Sequence, residues 1–454
     1  MLSSLHLTPP EHVSMKYYNI NNPSEKVSLR EAVLRSAIHI SGLYMPESIP
    51  LLPAAFFKKL PELSLQEIAF ELSKVMLGGD VPDAALEQIV TKAINFDIPL
   101  KQLDENLYVL ELFHGPTLAF KDVGARYMAA LFEYLLQNEN REVTVLVATS
   151  GDTGSAVANA FYNRKGIKVV ILYPSGRVSN FQEKQLTTMG RNITALEVDG
   201  NFDDCQRLVK QAFSDEELNN RMTLTSANSI NFARLFPQSF YYFYALAQLR
   251  AQSTKRVKPV IISVPSGNFG NLTAGLVAKR MGLPVDNYIA ATNTNHAVAD
   301  YLKNGRFEPL PTQHTITNAM DVGNPSNFPR ILELYKQSHL DIAADIKGYW
   351  FTDAQTSEAM NDLQKKYGYL ADPHGAIAYL ALKKHLEKHP VKDNSTGICT
   401  GIFLETAHPA KFPEEVEMAT GLKVQIPDAL KELLVLEKKS IKIPGNFNDL
   451  KSLL

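Results

Sequence analysis

The chain has 454 residues, 45% hydrophobic and 21% charged, the balance of a globular chain that buries a large core over two or three domains. A formal net charge of −2, with lysines and arginines scattered along the chain, argues against nucleic acid and acidic membranes as partners. Cys205 and Cys399 are the two cysteines, far apart and without a second ligand at zinc-like spacing, so neither a disulfide framework nor a metal site is expected and a reducing cytoplasm fits.

Residues 1–14 hold serines and a proline pair without apolar periodicity, and they lack the basic and apolar regions of a secretory signal. A disordered extension and an upstream start before Met15 are both open. Residues 15–105 read as a mostly helical unit. In LQEIAFELSKVML, from 65 to 77, Ile68, Leu72, Val75 and Met76 share one face at the 3.6-residue period, and GGDVPD marks the turn that follows. Nothing in this unit suggests chemistry.

The segment ELFHGPTLAFKD, residues 111–122, then sets Lys121 in a largely apolar stretch just before a helical pattern. A setting that strips water from a lysine lowers its pKa and frees the lone pair for nucleophilic, imine-forming chemistry. The competing reading is a solvated lysine at the end of a loop. His114, three residues after Glu111, either orders a site wall or is a hydrogen-bonded structural histidine.

After residue 105, short apolar runs alternate with longer helical patterns. Strands are expected at 143–149, 168–174, 193–198, 222–226, 259–264 and 288–292, with helices at 155–163, 182–189, 205–213, 240–249 and 272–281. Continuously apolar strands separated by helices indicate an α/β fold with parallel sheets covered on both faces and crossover connections. The apolar runs, such as 143–148, are too short to span a bilayer. Ligands in such sheets sit at the carboxyl ends of strands, so the strand-to-helix turns are the places to look for chemistry.

Two turns stand out. TSGDTG, comprising Thr149, Ser150, Gly151, Asp152, Thr153 and Gly154, follows the run VTVLVA and opens the helical SAVANAFYN. Its small residues and free helix N–H groups suit a carboxylate or phosphate, although Ser150, Asp152 or Thr153 capping the helix accounts for it equally well. SGNFGN, comprising Ser266, Gly267, Asn268, Phe269, Gly270 and Asn271, lies between PVIISV and LTAGLVAKRMG. Its amides suit a phosphate, with a plain tight turn as the alternative. Neither turn has the spacing of a nucleotide-binding motif. Near the other end TAHPAKF follows the run GIFL, where the Thr406 hydroxyl suits a neutral ring nitrogen, or simply caps a helix.

These segments, together with MKYYN at Met15, LYMPESIP, ILYPSGRVS, DGNFDDCQ, SANSIN and AMDVGNPSNF, resemble the threonine synthases. These are pyridoxal phosphate (PLP) enzymes of fold type II, and the likeness is to their longer-chain bacterial and fungal branch. The resemblance implies a tryptophan synthase β-like fold across 106–454, with a smaller α/β subdomain at roughly 140–245 inserted in a larger one, beside the helical domain at 15–105. It implies that Lys121 holds PLP covalently, with residues 266–271 around the cofactor phosphate. Thr149, Ser150, Gly151, Asp152 and Thr153 would lie near the substrate carboxylate and the cofactor O3′, and Thr406 at the pyridine nitrogen.

The implied reaction turns O-phospho-L-homoserine and water into L-threonine and phosphate by γ-elimination and β-addition, with Lys121 as general base. Departure of phosphate requires a second anion site. Asn228, Ser229, Asn231 and Arg234 in SANSINFAR, and Ser326, Asn327 and Arg330 in NPSNFPR, are its candidates, with a surface salt bridge as the alternative for either arginine.

Relatives of this fold type commonly carry Asn where this chain has Asp152, and an ionised Asp would repel the O3′ phenolate. Asp152 is therefore expected to be protonated when the cofactor is bound or, preferably, turned away to cap the helix. Glu405 is charged and bulky where a small residue is expected. A phospho-lyase releasing 2-oxobutyrate, a related PLP enzyme that makes cysteine or dehydrates serine or threonine, and a non-catalytic scaffold or binding protein are the other readings. A cytoplasmic monomer or weak homo-oligomer is expected, acting on a small molecule with no nucleic-acid or membrane partner.

Overall fold

The computed structural model describes residues 14–35, 42–137, 142–252, 259–389 and 399–454. The extension expected at 1–14 lies outside the described residues except for Ser14, whose hydroxyl donates to Asp80 at 2.6 Å.

The apolar run Val143–Ala148 is buried along its whole length, which only a strand covered on both faces achieves. It pairs in parallel with Ile167–Pro174, Val143 opposite Ile167 and Ala148 opposite Leu172, and on its other side with Thr223–Thr225. Ile193–Asp199 and then Ile441–Pro444 complete a five-stranded parallel sheet. A second, six-stranded sheet runs in the order Ile346–Trp350, Asn287–Thr292, Val260–Pro265, Thr400–Glu405, Leu107–Glu111, Leu100–Asp104. It is parallel except for the last strand, which forms an antiparallel pair with Leu107–Glu111.

The strands read from the sequence are present with ends within one residue of the expected ones. The corresponding helices begin one to three residues earlier than their apolar faces, because their first turns are polar or glycine-rich and carry no face signal. The small sheet differs from the 140–245 span in one respect. Its edge strand Ile441–Pro444 comes from the C-terminus, followed by the helix Phe447–Leu453, whose Leu450 is buried in the cluster that contains Leu208 and Val209. Only Ile443 of that strand is buried, so no apolar run announced it.

The N-terminal unit is helical over Leu65–Leu77 and Asp83–Ala93, and it also holds a small antiparallel sheet of Asn22–Val27, Tyr17–Asn19 and Tyr44–Pro46. The helix Leu65–Leu77 starts at a capping box, with Ser64 accepting from the Glu67 N–H and Glu67 accepting from the Ser64 N–H. It buries Ile68, Leu72 and Met76, each contributing about 1.5–3 kcal/mol. Its core is continuous with that under Lys121–Leu136 and Ser239–Gln252, so the unit is packed onto the α/β region. Among the described residues no helix is long and apolar enough to cross a membrane.

Candidate active site

The carboxyl ends of Val143–Ala148, Val260–Pro265 and Thr400–Glu405 open into one pocket, as does the loop after Leu107–Glu111. Lys121 is the first residue of the helix Lys121–Leu136 and lines this pocket. Three devices fix it. Backbone bonds from Leu112 N to Glu405 O and from Phe120 N to Thr406 O, both 2.9 Å, tie the loop to the end of Thr400–Glu405. The Asp122 carboxylate accepts from Thr117 N at 2.8 Å and from the Thr117 hydroxyl at 2.6 Å. Asp122 also packs so closely on Gly115 that a Cβ there would lie 2.5–2.9 Å from its carboxylate, which accounts for the glycine in HGPTLAFKD. Burial draws the Lys121 ammonium below its ordinary value; Asp152 opposes this, and Lys411 and Arg234 add to the fall.

In the first glycine turn the hydroxyl of Thr149 accepts from the N–H groups of Gly151 at 3.0 Å and Gly154 at 2.9 Å. The cap is therefore Thr149, and Ser150 and Thr153 are left to line the pocket. Gly151 has φ +133°, and a Cβ there would overlap the Gln182 amide, so only glycine fits. Asp152 does not cap the helix, contrary to the preferred expectation. It is buried with Oδ1 2.6 Å from Lys411 Nζ and Oδ2 3.8 Å from Lys121 Nζ, and Gln182 Nε2 donates to Oδ1 at 3.0 Å. Burial alone would raise its pKa, but Lys411 and then Lys121 hold it well below the usual carboxylate range.

In the second turn Phe269 adopts φ +60° and the helix Gly270–Arg280 starts without a side-chain cap, so its first N–H groups are open. A Cβ on Gly267 would lie 2.7 Å from Met320 Cα, and one on Gly270 would lie 3.0 Å from Ser229 Cβ. Asn268 Oδ1 accepts from Ser326 N at 2.9 Å and Ser326 Oγ at 2.8 Å, and Ser266 Oγ donates to Val264 O at 2.9 Å. Asn271 Oδ1 accepts from Tyr241 and Tyr242, both at 2.6 Å, which leaves its buried Nδ2 without a partner.

The candidates for a second anion site divide. Asn228, Ser229 and Arg234 line the pocket. Asn228 has a buried amide oxygen without a partner. Arg234 gives Nη1 to Ala227 O at 2.8 Å, its Nη2 makes no hydrogen bond among the described residues, and burial brings it down to about 10, still charged at neutral pH. Asn231 and Arg330 are corrected to structural roles. Asn231 caps Phe232–Leu235 and donates to Val33 O at 2.9 Å and Ser226 O at 3.2 Å. Arg330, fully buried, donates to Ser229 O, Asn327 Oδ1, Tyr44 O and Ile230 O at 2.6–3.1 Å. Neither arginine is on the surface. Ser326 and Asn327 act one step back, Asn327 donating to Ser229 Oγ at 2.9 Å and Asn268 O at 3.1 Å. The bonds to Val33 and Tyr44 mean that the N-terminal unit, silent in the sequence, buttresses both segments.

Thr406 lines the pocket, and its hydroxyl makes no hydrogen bond among the described residues. Glu405 is turned into a separate buried cluster, where Asp372 N donates to it at 2.6 Å and burial, then Asp372, push its carboxyl well above the usual range. His114 bonds to Glu111 at 2.8 Å and lies outside the pocket, the structural alternative. Three contributors escaped the sequence reading. His374 lines the pocket with Nδ1 on Asp372 at 2.6 Å and Nε2 accepting from Ala319 N at 3.3 Å. Asn318 presents an unpartnered amide oxygen, and Lys411 pairs with Asp152. For Lys411 a signal existed, the lysine within TAHPAKF.

Comparison with known proteins decides the family. The model described as "Threonine synthase N terminus" matches residues 16–94, "Pyridoxal-phosphate dependent enzyme" matches 87–401 and "Threonine synthase, C-terminal" matches 375–454. Threonine synthase of Haemophilus influenzae is 45% identical over 440 residues, 97% of this chain and 99% of that protein. The chain belongs to the threonine synthase family. The structure of threonine synthase from Escherichia coli superposes with a TM-score of 0.88 at 42% identity, over 97% of this chain and 99% of that one. PLP-bound threonine synthase from Brucella melitensis gives 0.87 at 34%, over 97% and 98%. Threonine synthases depend on PLP, and this site fits the group. The uncapped helix start at Gly270 suits a phosphate, and Lys121, lining the same pocket, supplies the amine.

Proposed function

We propose that the chain converts O-phospho-L-homoserine and water to L-threonine and phosphate. The observation that carries this reading is that one pocket is lined by two features suited to anions, the uncapped helix start at 266–270 and the cation Arg234, together with the amine of Lys121. One anion site suits the cofactor phosphate and the other the substrate phosphate.

PLP supplies the electron sink for negative charge developed at Cα. Lys121 would hold the cofactor, and its amine is placed to take the Cα proton and return protons to the carbon chain, work for which a depressed pKa suits it. Arg234 is proposed to receive the departing phosphate, with the side-chain N–H groups of Asn228 and Asn318 as neighbouring donors. The substrate carboxylate falls to Ser150, Thr153 and the helix start beside them. Thr406, which lines the pocket, would offer the ring nitrogen a hydroxyl and not a carboxylate, a partner that suits a neutral nitrogen. Residues 15–105, 106–454 and the small-sheet segment near 140–245 are proposed as the working divisions, with 441–454 added to the last. The free thiols Cys205 and Cys399 support a cytoplasmic location, and we propose a monomer or weak homo-oligomer.

The test is incubation of the PLP-loaded protein with O-phospho-L-homoserine. Phosphate and threonine are expected in equal amounts, and Lys121→Ala should lose both. Phosphate with 2-oxobutyrate instead would move the chain to the lyase reading, and no phosphate would overturn the substrate.

A further inference from the structure

Lys411 takes no part in the reaction as just described, yet it is the closest charged partner of Asp152. It ends the single turn Pro409–Lys411, is fully buried and lies outside the pocket lining. Its ammonium is 2.6 Å from Asp152 Oδ1 and donates to the Thr117 carbonyl at 3.0 Å. Lys121 Nζ reaches the other carboxylate oxygen only at 3.8 Å, beyond hydrogen-bond length. The buried group is thus one carboxylate between two amines, with the nearer and more enclosed amine outside the pocket and the farther one inside it.

That asymmetry decides which amine keeps its proton. Coulomb attraction falls with distance and is strongest where water is excluded, so Asp152 favours the charge on Lys411 over that on Lys121. Once a carboxylate is neutralised by a hydrogen-bonded cation, a second cation gains little from it while its own desolvation cost stands. The other charged groups facing the pair act in known senses. Arg234, from Phe232–Leu235, disfavours charge on Lys121. Asp122, on the helix of Lys121, faces Lys411 and Arg126, and His408, two residues after Thr406, faces Lys411, Glu111, Asp372 and His114.

We propose that Lys411 is a positioning residue that claims Asp152 as its own counter-ion and so leaves Lys121 as the amine that gives up its proton. The proposal rests on the reading of Lys121 as the reacting amine. It also resolves the expectation about Asp152, because the group beside Lys121 is an ion pair and not a lone anion, and the repulsion expected of an ionised aspartate is largely cancelled.

The experiment measures the titration of Lys121 in the PLP-free protein, by trace acetylation with acetic anhydride across pH and mass spectrometry of the peptide that carries it. Lys411→Met should raise the Lys121 midpoint by about one pH unit or more, a tenfold change, because Asp152 then takes Lys121 as its only near cation. Lys411→Arg should keep the parent midpoint, and Lys411→Met with Asp152→Asn should return it to the parent value or below. A midpoint within about 0.3 units of the parent in Lys411→Met overturns the proposal. If that variant does not fold, Asp152→Asn alone decides: the midpoint falls if the account holds, and an unchanged midpoint overturns it. The readout involves neither threonine nor phosphate. A shifted midpoint in a protein that makes no threonine would count against the proposed reaction alone, and an unshifted one in an active enzyme against Lys411 alone.

Discussion

Arg234 and Arg330 each lack a partner at Nε, yet one is placed to meet a substrate and the other holds the protein together. Arg330 gives both terminal nitrogens to oxygens of Tyr44, Ser229, Ile230 and Asn327, whereas Arg234 binds only Ala227 O and lines the pocket with Lys121. Arg234→Gln should raise KM for the phospho-substrate about ten- to a hundredfold, the worth of a charged hydrogen bond, with cofactor loading unchanged. Arg330→Gln should instead destabilise by about 3 kcal/mol or more through its stranded carbonyls, read by denaturant unfolding. Sequence could not separate the two arginines, because what distinguishes them is the path of the N-terminal unit. The Lys121 motif was legible since one contiguous stretch supplies both the amine and the loop that fixes it, while the Lys411–Asp152 pair joins residues far apart in the chain.

Glu405 gives a second prediction for a single residue. Its carboxyl is raised well above the ordinary value by burial and by Asp372, so the folded state holds a proton that the unfolded state releases. Above the unfolded pKa of about 4.3 the unfolded chain binds fewer protons, so this group's contribution falls as pH rises, and it is fully favourable only in acid. Glu405→Gln, which carries the neutral form's shape at all pH values, should gain in Tm relative to the parent as pH goes from 5 to 8. An identical pH dependence in both proteins would contradict a protonated Glu405.

At the scale of elements, the strands with continuous apolar runs were readable and the edge strands were not. Val143–Ala148 is buried on both faces and announces itself, whereas Ile441–Pro444 alternates with lysine and buries Ile443 alone. That strand nevertheless covers the edge Ile193–Asp199, and the helix behind it buries Leu450. Deleting 441–454 should therefore leave an open parallel edge and an uncovered apolar patch, giving a chain that self-associates more than the parent in light scattering. The two glycine turns were legible as helix starts at the carboxyl ends of strands, but their capping was not. Thr149, just after the preceding strand, serves the helix start by accepting from the Gly151 and Gly154 N–H groups, a forward reach that the residues inside the turn seemed better placed to make.

For the whole molecule, the site is assembled where two parallel sheets bring their strand ends together, and the N-terminal unit supports it by binding the backs of the 228–234 and 326–330 segments. This explains how a unit without catalytic side chains still belongs to the catalytic apparatus, and why the fold class was clearer from sequence than the roles of those segments. The central claim is that phosphate leaves by breaking a carbon–oxygen bond and that water then enters at the neighbouring carbon. The direct measurement is turnover of O-phospho-L-homoserine in water enriched in oxygen-18, with both products analysed by mass spectrometry. The account predicts threonine carrying one heavy oxygen in its hydroxyl and phosphate carrying none. Heavy oxygen in the phosphate with homoserine as the other product would mean simple hydrolysis at phosphorus, and would contradict it.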